Sequence, residues 1–538
     1  MPWKSKTGRG RRRALTIVPA TAFLTTVAGI AGCGAPAEWA GADGAGKERP
    51  NVVVIMTDDQ WLESMRVMSR TRGLIGGQGV TFSRYYASEP LCCPSRASYL
   101  TGQFAHNNGV RHNALPQGGY EKLNDKNTLP VWLKNAGYAT SHIGKYPNGY
   151  GRRDKYYVPP GWTEWRGSLD PTTYQMYGYT LNENGRLTTY GKADVEDPKY
   201  YQTDVYRDKA TDFIKRRSSG DRPFFLSVAF LAPHGENGGI GPAPRPAPRH
   251  KGRFSDEPLP RKPSFDEADV SDKPGYMRNR PRLDAAAKER VQTGYRGRLE
   301  ALLAVDEAVG GIVETLDRSG ELDNTYLLFT SDNGFFFGEH RIPAGKYLPH
   351  EASAHLPFMM RGPGLPTGRT SQEGVANIDL APTIAEATGV RPGLMVDGRS
   401  MLPYARRPDL RTTRPLLHEG GDGALPTVVG GNQQGPTAAD TAGRAAAQGD
   451  LDQDLPGPRK RNQRQVLSIA YEAIRTERYL YMRLKSGERE LYDYKTDLYE
   501  QRSVHNDPRY AQVRAQLDRH LTRLQGCKGS ACRQAIPR

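Results

Sequence analysis

Four short apolar runs along the chain have the pattern of buried strands, and polar residues follow each of them. The runs cover residues 51–59, 137–146, 223–234 and 325–333. Except in the second and weakest run, apolar residues are continuous rather than alternating, which is typical of strands covered on both faces of a parallel sheet. Helical spacing between the runs, as in residues 128–137 and 295–320, predicts helices, the second ending at Gly320.

The last third of the chain has a different pattern. Residues 420–465 are rich in Gly, Ala, Gln and Asp with almost no aromatic side chains, which predicts a flexible insertion. Beyond it, residues 466–484 and 488–494 are typical of antiparallel strands, and residues 507–526 of a closing helix. The sequence therefore predicts an α/β fold, a large mostly parallel sheet sandwiched by helices, with a smaller C-terminal α+β subdomain over residues 466–538.

The amino terminus has the pattern of an export signal. A basic start and a moderately apolar stretch, interrupted by Pro19, lead to small residues and the sequence "IAGC", which ends at Cys33. Residues 1–33 therefore predict a signal peptide with a lipobox, and residues 34–49 a tether. An ordinary cleaved signal with an incidental Cys33 is the alternative, and "GRRRAL" also resembles a twin-arginine signal. We expect an exported protein, secreted or held at the cell surface, that meets the membrane only through a possible lipid anchor.

The net charge and the cysteine content indicate which partners and which cellular compartment to expect. The chain of 538 residues has a net charge of +16, but much of the excess lies in the signal and in Arg-Pro stretches, and a solvated basic surface explains it equally well. No nucleic-acid module accompanies the charge, so we predict no nucleic-acid partner. Of five cysteines, Cys527 and Cys532 are expected to form a disulfide in an oxidising compartment. Cys92 and Cys93 remain to be explained.

Polar side chains follow the predicted strands where each strand ends. Because ligands bind at the carboxyl ends of strands in open α/β sheets, these residues are expected to meet at one rim. They are Asp58, Asp59, Lys145, His234, Asp332 and Asn333. Their carboxylate and amide oxygens suit Ca²⁺ or Mg²⁺ rather than zinc. Asp58-Asp59 or Asp332-Asn333 alone would also be a common turn feature, and it is the presence of both pairs after predicted strands that favours a metal site.

The stretch "LCCPSRASYLTG" predicts a reactive residue at the start of a helix. Pro94 suits a first helical turn, which would place Cys92 near the helix N-terminus, where backbone N–H groups favour an anion. Arg96 in that turn offers planar donors to a tetrahedral oxyanion. The alternative for either thiol is plain core packing.

The same stretch resembles the sulfatase family signature, Cys-x-Pro-Ser-Arg followed by Thr-Gly. The resemblance covers most of residues 50–535 and includes "NVVVIMTDDQ", "GKY", "APH", "SDNG", "GKYLPHEASAHLPFMMRGPG" and "NIDLAPT". Within the family the chain is most similar to the N-acetylglucosamine-6-sulfatase type, through "PRKPSFDEADVSDKP", "YRGRLEALLAVDE" and the terminal cysteine pair. The resemblance implies a catalytic domain over residues 50–415.

The resemblance also implies a role for each site residue. Cys92 would be converted to formylglycine by a formylglycine-generating enzyme, with Cys93 merely packed. One calcium ion per chain would be bound by Asp58, Asp59, Asp332 and Asn333 together with residue 92. Arg96 and Lys145 would hold the modified residue and the sulfate oxygens. His234 and Lys346 would contact sulfate and assist the leaving oxygen.

The chain departs from the family pattern after the second strand. Many sulfatases have Gly-Lys-Trp-His there, whereas this chain has "GKYPNGY", so the histidine is absent and Asn148 receives no role. His142 is expected to be structural, and the spacing does not choose between His106 and His112 as pocket residues.

The implied activity is hydrolysis of sulfate esters, on a sulfated carbohydrate such as N-acetylglucosamine 6-sulfate. Three alternatives stay open at this point. They are an arylsulfatase of another substrate, a phosphonate or phosphate ester hydrolase of the same fold, and an inactive glycan-binding surface lipoprotein.

Overall fold

The structure is a computed structural model that describes residues 49–236, 243–424 and 468–535. The predicted signal peptide with Cys33, nearly all of the tether, and residues 425–465 of the predicted insertion lie outside the described residues. Within the described ranges, every helix is too short or too polar to cross a membrane.

Seventeen strands are described, and they form three sheets. Strands β1 to β9 are Asn51–Thr57, Val80–Phe82, Tyr85–Tyr86, Ala139–Lys145, Glu164–Ser168, Tyr179–Glu183, Arg186–Tyr190, Phe224–Ala229 and Thr325–Ser331. Strands β10 to β17 are His355–Leu356, Phe358–Arg361, Arg369–Ser371, Val375–Ala376, Leu416–Ala424, Ser468–Arg475, Tyr479–Leu484 and Arg489–Asp493.

Eleven α-helices connect the described strands. Helices α1 to α6 are Ser69–Thr71, Cys92–Thr101, Ala105–Asn108, Leu129–Asn135, Gln202–Arg217 and Gly275–Arg278. Helices α7 to α11 are Ala285–Arg318, Glu351–Ala354, Leu380–Thr388, Leu402–Arg406 and Ala511–Leu524.

The four strands predicted from the sequence are neighbours at the centre of the large sheet. That sheet has ten strands in the order β12-β2-β11-β9-β1-β8-β4-β5-β6-β7, and the run from β9 to β5 is parallel. Alternate residues of β1 pack into two different cores, one formed with α5 and α7 and the other with α2, α4 and α9. Helices therefore cover both faces, and the predicted α/β fold is confirmed.

The long helix α7 begins ten residues earlier than the sequence predicted. Its first turn is capped by Asp284, whose carboxylate accepts a hydrogen bond from the backbone N–H of Ala287. Half of residues 285–294 are exposed, and Val291 is the one large apolar side chain buried among them, so their apolar pattern was too weak to predict a helix. The end was predicted correctly, because Gly320 adopts the left-handed backbone that ends helices (φ 73°).

The C-terminal subdomain is a four-stranded antiparallel sheet with α11 packed against it, as predicted. The strand order is β14-β15-β16-β17, and the apolar face of α11 is buried through Leu517, Leu521 and Leu524. Strand β14 supplies the first strand of this sheet, although residues from 420 onward resembled an insertion. Cys527 and Cys532 form the predicted disulfide after α11.

Truncating a central strand residue is expected to destabilise the fold strongly. Leu328 on β9 is 1% exposed, so Leu328→Ala leaves a cavity that should cost about 2–5 kcal/mol of unfolding free energy. Leu498, which is 68% exposed, is the matched control, and Leu498→Ala should change it by less than about 0.5 kcal/mol. Urea unfolding followed by circular dichroism checks this, and equal midpoints for the two variants would contradict the described core.

Candidate active site

The carboxyl ends of the central parallel strands converge on one buried group of polar side chains. Asp58 and Asp59 follow β1, Lys145 ends β4, and Asp332 and Asn333 follow β9. His234 lies five residues beyond the end of β8. All six side chains are at most 2% exposed, although charged groups are seldom buried without partners.

The backbone at Asp59 brings both carboxylates of the acidic pair to the same site. Successive residues of an extended strand point to opposite faces. Asp59 instead has a left-handed backbone (φ 58°), a conformation that Asp tolerates better than most residues. The alternation is broken there, and Asp58 and Asp59 both reach the surroundings of Cys92.

Cys92 is the first residue of α2, where the sequence predicted a helix start. Its Sγ lies 3.0 Å from Nζ of Lys346 and 3.5 Å from Oδ1 of Asp58. Pro94 lies in the first turn, and Gly102, left-handed at φ 69°, ends the helix. The signature sequence therefore forms one helix that ends at Gly102, and its first residue, Cys92, contacts the acidic and basic side chains at the strand ends.

Cys93 faces a different environment. Its backbone N–H donates to Oδ1 of Asn113 (2.9 Å), and its thiol is fully buried among apolar residues. Burial raises the pKa of Cys93 to about 12. A thiol with that pKa stays protonated and is a poor nucleophile, which agrees with the expected packing role.

Arg96 bridges two of the carboxylates. Its guanidinium contacts Oδ2 of Asp58 at 3.0 Å and Oδ2 of Asp332 at 2.8 Å, and it also donates to the carbonyl of Lys145. Burial would lower the pKa of Arg96, but Asp332 and Asp58 outweigh it and the net shift is upward. Arg96 is therefore a fixed positive charge within one turn of Cys92.

Three further basic groups face the same carboxylates. Nζ of Lys145 lies 2.6 Å from Oδ2 of Asp58, and Nζ of Lys346 lies 2.6 Å from Oδ1 of Asp59. Nε2 of His234 lies 3.6 Å from Oδ2 of Asp59. All five residues assigned a catalytic role from the sequence thus meet around the four oxygen-bearing residues.

The donor set fits a divalent cation. Ligand atoms of Asp58, Asp59, Cys92 and His234 lie within 4.8 Å of one another, and Asn333 and Asp332 both contact Asp59. Carboxylate and amide oxygens are the ligands that calcium prefers.

The charges of the buried carboxylates also favour a bound cation. Burial, and then the neighbouring charge of Asp58, raises the pKa of Asp332. Burial also opposes ionisation of Asp58, but Lys145, His234 and Arg96 together bring its pKa below the ordinary value. Oδ1 of Asn333 is buried and has no hydrogen-bond partner within the described ranges. A bound cation would relieve the repulsion between the carboxylates and give this oxygen a partner.

Sequence reasoning missed several residues that touch the site. Arg298 from α7 donates to the carbonyl of Asp59 (3.3 Å), and its guanidinium lies 3.7 Å above the ring of Phe335. Asn377 donates to Oγ of Ser95 (2.9 Å), which itself donates to the carbonyl of Asp332. Asn377 lies in the quoted segment "NIDLAPT" and Arg298 in "YRGRLEALLAVDE", but neither residue was assigned a role there.

Asn148, which received no role, also lies next to the site. Its Nδ2 donates to the hydroxyl of Tyr174 at 2.6 Å. The ring of Tyr174 lies 4.6 Å below Nζ of Lys145 and 5.1 Å from the His234 ring. Asn148 therefore positions an aromatic ring that contacts two of the basic groups.

Two other histidines considered from the sequence, His142 and His106, lie outside this group. His142 stacks on Trp165 with ring centroids 5.0 Å apart, and burial, with a smaller effect of Arg96, lowers its pKa to about 3, consistent with a structural role. His106 bonds Glu419 (2.7 Å) and the carbonyl of Cys527 (2.8 Å), so it connects α3 to the C-terminal subdomain.

Comparison with known proteins identifies the family. A model of the sulfatase family matches residues 50–390. The arylsulfatase of Volvox carteri is 32% identical over 524 residues, which cover 91% of this chain and 76% of the relative. The N-acetylglucosamine-6-sulfatase of Homo sapiens is 36% identical over 373 residues, which cover 67% of this chain and 65% of the relative.

A solved structure shares the fold over nearly its whole length. It is described as a complex with its substrate D-glucosamine-2-N,6-O-disulfate, and it superposes with a TM-score of 0.69 at 24% identity. The match covers 89% of this chain and 98% of that structure. With a family match over more than half of its length, the chain belongs to the sulfatase family, whose members hydrolyse sulfate esters.

Proposed function

We propose that this sulfatase removes the 6-sulfate of N-acetylglucosamine units in a sulfated glycan, using formylglycine made from Cys92 and one calcium ion. The observation that carries the proposal is the position of Cys92. Its sulfur lies at a helix N-terminus, in contact with Lys346 and Asp58. Side chains with both cation-binding and sulfate-binding chemistry therefore surround the position that the nucleophilic oxygen would take after the sulfur is replaced.

The two groups that the site fits would supply distinct chemistry. A hydrated formylglycine at position 92 offers one hydroxyl to attack sulfur and a second whose deprotonation releases sulfate, which a serine cannot do. Calcium held by Asp58, Asp59, Asp332 and Asn333 would add positive charge that favours the ionised hydroxyl.

The basic residues bind and orient the sulfate group in this proposal. A sulfate ester carries one negative charge on its sulfate group, and further negative charge develops on the leaving oxygen as the S–O bond breaks. Lys145, Lys346 and Arg96 are rigidly held by carboxylates, so their charges are positioned before the substrate arrives. His234, buried beside Asp59, would donate a proton to the leaving oxygen, which departs as an alcohol.

A basic cavity supports an anionic glycan as the substrate. The cavity has a volume of about 750 Å³ and lies between residues 109–122 and the C-terminal sheet. The loop that lines it contacts the signature helix, because Oδ1 of Asn113 accepts from the backbone N–H of Cys93. Five basic side chains line it against two acidic ones: Arg111, Lys122, Arg483, Lys485 and Arg489, against Glu419 and Glu472. Such a lining attracts a polyanion.

We expect the specificity constant to favour the glycan. The measurement compares kcat/KM for a sulfated oligosaccharide ending in N-acetylglucosamine 6-sulfate with that for nitrophenyl sulfate, over a salt series. The oligosaccharide should react faster at low salt, and its advantage should shrink as salt screens the cavity. A much larger kcat/KM for the aryl ester at every salt concentration would contradict the glycan assignment and indicate an arylsulfatase with another substrate. Faster hydrolysis of nitrophenyl phosphate would favour the phosphate ester alternative.

Charge reversal in the cavity separates recognition from chemistry. Lys122→Glu combined with Lys485→Glu should lower kcat/KM for the oligosaccharide about tenfold and change that for nitrophenyl sulfate less than about twofold. The control is Arg318→Glu, because Arg318 is 77% exposed and ends α7 near the amino ends of the strands. Equal losses for both substrates would show that the cavity does not bind the glycan.

The predicted export of the protein agrees with this function, because a glycan polymer would be encountered by the enzyme outside the cell. The Cys527–Cys532 disulfide supports it, because disulfides persist in oxidising compartments.

A further inference from the structure

A second buried group of metal-binding side chains lies outside the catalytic site. His340, His350 and Glu500 each offer one ligand atom, and these atoms lie within 4.8 Å of one another. None of the three residues is more than 2% exposed. The two histidines flank the segment that carries Lys346, and Glu500 comes from the C-terminal subdomain after β17.

Both histidines are oriented as metal ligands usually are. In metal sites, a histidine typically donates its second ring N–H to a carboxylate, which fixes the ring and leaves the other nitrogen for the ion. Nδ1 of His340 lies 2.7 Å from Oε2 of Glu267, and Nε2 of His350 lies 3.1 Å from Oε2 of Glu490.

The second nitrogen of His340 faces the third ligand, and that of His350 is buried without a hydrogen bond inside the described part of the chain. Nε2 of His340 lies 4.0 Å from Oε2 of Glu500, and the two imidazole rings are 5.2 Å apart. Nδ1 of His350 is buried and has no hydrogen-bond partner among the residues that the structure describes. A fully buried polar nitrogen without a partner is costly, and a metal ion would satisfy it.

The charge balance of the cluster also favours a cation. Two fixed cations, Lys273 and Arg475, lie among the carboxylates, at 3.4 Å from Glu267 and 3.8 Å from Glu500. Arg475 also pairs with a further carboxylate. The acidic residues that pair with these cations are Glu267, Asp272, Glu351 and Glu500, and Glu490 pairs with His350. These five carboxylates outnumber the two fixed cations, so the cluster has an excess of negative charge that a bound cation would reduce.

We propose that His340, His350 and Glu500 bind a structural zinc ion that fixes the segment carrying Lys346 to the C-terminal subdomain. Two imidazoles and one carboxylate are a donor set that zinc prefers over calcium, and a water molecule would supply the fourth ligand. Ligands of a tetrahedral zinc ion are about 3.3 Å apart, so the three side chains would close by roughly an ångström on binding. This site is separate from the calcium ligands, and its occupancy does not depend on the substrate.

The test measures metal content rather than activity. Full-length protein is loaded with zinc chloride in the presence of excess calcium, gel-filtered and analysed by inductively coupled plasma mass spectrometry. Wild-type protein should retain about one zinc per chain, and His350→Gln and Glu500→Gln at least about tenfold less. The matched control is His355→Gln, which removes a histidine bonded to Glu351 and to the carbonyl of Ser83. It should retain the wild-type zinc content.

Two outcomes would overturn the proposal. One is wild-type protein without zinc after loading, and the other is a zinc content in His350→Gln equal to that in His355→Gln. If the cluster variants do not fold, X-ray absorption at the zinc edge of wild-type protein decides. Scattering from two imidazoles supports the site, whereas oxygen-only or sulfur ligation contradicts it. Asp58→Asn should keep its zinc, which separates this result from any failure of the calcium site.

Discussion

Replacing Cys92 by alanine is expected to abolish sulfate ester hydrolysis. The sulfur of Cys92 lies where the helix N-terminus, Lys346 and Asp58 meet, and alanine offers no atom there that can attack sulfur. We expect kcat/KM to fall by about 10⁴-fold or more, because loss of a covalent nucleophile removes the reaction path itself. The measurement is steady-state hydrolysis of nitrophenyl sulfate by purified protein.

The neighbouring thiol is the matched control. Cys93→Ala removes a buried sulfur from the core and should cost about 1–2 kcal/mol of unfolding free energy with little change in kcat. Loss of activity in Cys93→Ala with retention in Cys92→Ala would reverse the assignment. Equal activity in both variants would show that neither sulfur position is the nucleophile.

The second large effect is expected at the metal ligands. Asp58→Asn removes a carboxylate that contacts Arg96, Lys145 and Cys92. Wild-type protein should retain about one calcium per chain after dialysis, since all-oxygen carboxylate sites hold this ion well. Asp58→Asn should lose this calcium ion. We expect kcat to fall by about 10³-fold or more, because the site loses both the charge of the cation and the fixed arrangement of the side chains around it.

A buried aspartate outside the site controls for folding. Asp306→Asn changes a carboxylate that is 5% exposed and accepts hydrogen bonds from Thr71, and it should leave calcium and turnover in place. Calcium content that is the same in Asp58→Asn as in wild type would contradict the ligand assignment. Activity that is restored by zinc but not by calcium after metal removal would also contradict the ligand assignment.

The centre of the fold could be predicted from sequence because its strands are uniformly apolar. The run that contains Val53 and the run that contains Leu328 have no alternation, and both became central parallel strands. The outer strands could not be predicted in this way. Strand β7, for example, is partly exposed and polar, and it forms only because β6 offers an antiparallel partner. Strand β14 was missed for a similar reason, since its partner β15 lies beyond the predicted insertion.

The site could be predicted where its residues follow those central strands. Asp58 and Asp332 come directly after β1 and β9, so sheet geometry alone brings them together. Lys346 follows no strand, and only the resemblance to sulfatases indicated it. Asn148 and Arg298 reach the site through tertiary packing, from a loop and from the side of a long helix, which neither spacing nor residue type reveals.

The most direct test of the account is the mass of the tryptic peptide from Tyr85 to Arg96, taken from protein with measured turnover and alkylated before digestion. We expect a peptide in which residue 92 has exchanged its sulfur and two hydrogens for one oxygen, as an aldehyde requires, with a single alkyl group on Cys93. Tandem mass spectrometry assigns both changes to their positions. A peptide with both cysteines alkylated in full, from enzyme that hydrolyses sulfate esters, would contradict the proposed nucleophile.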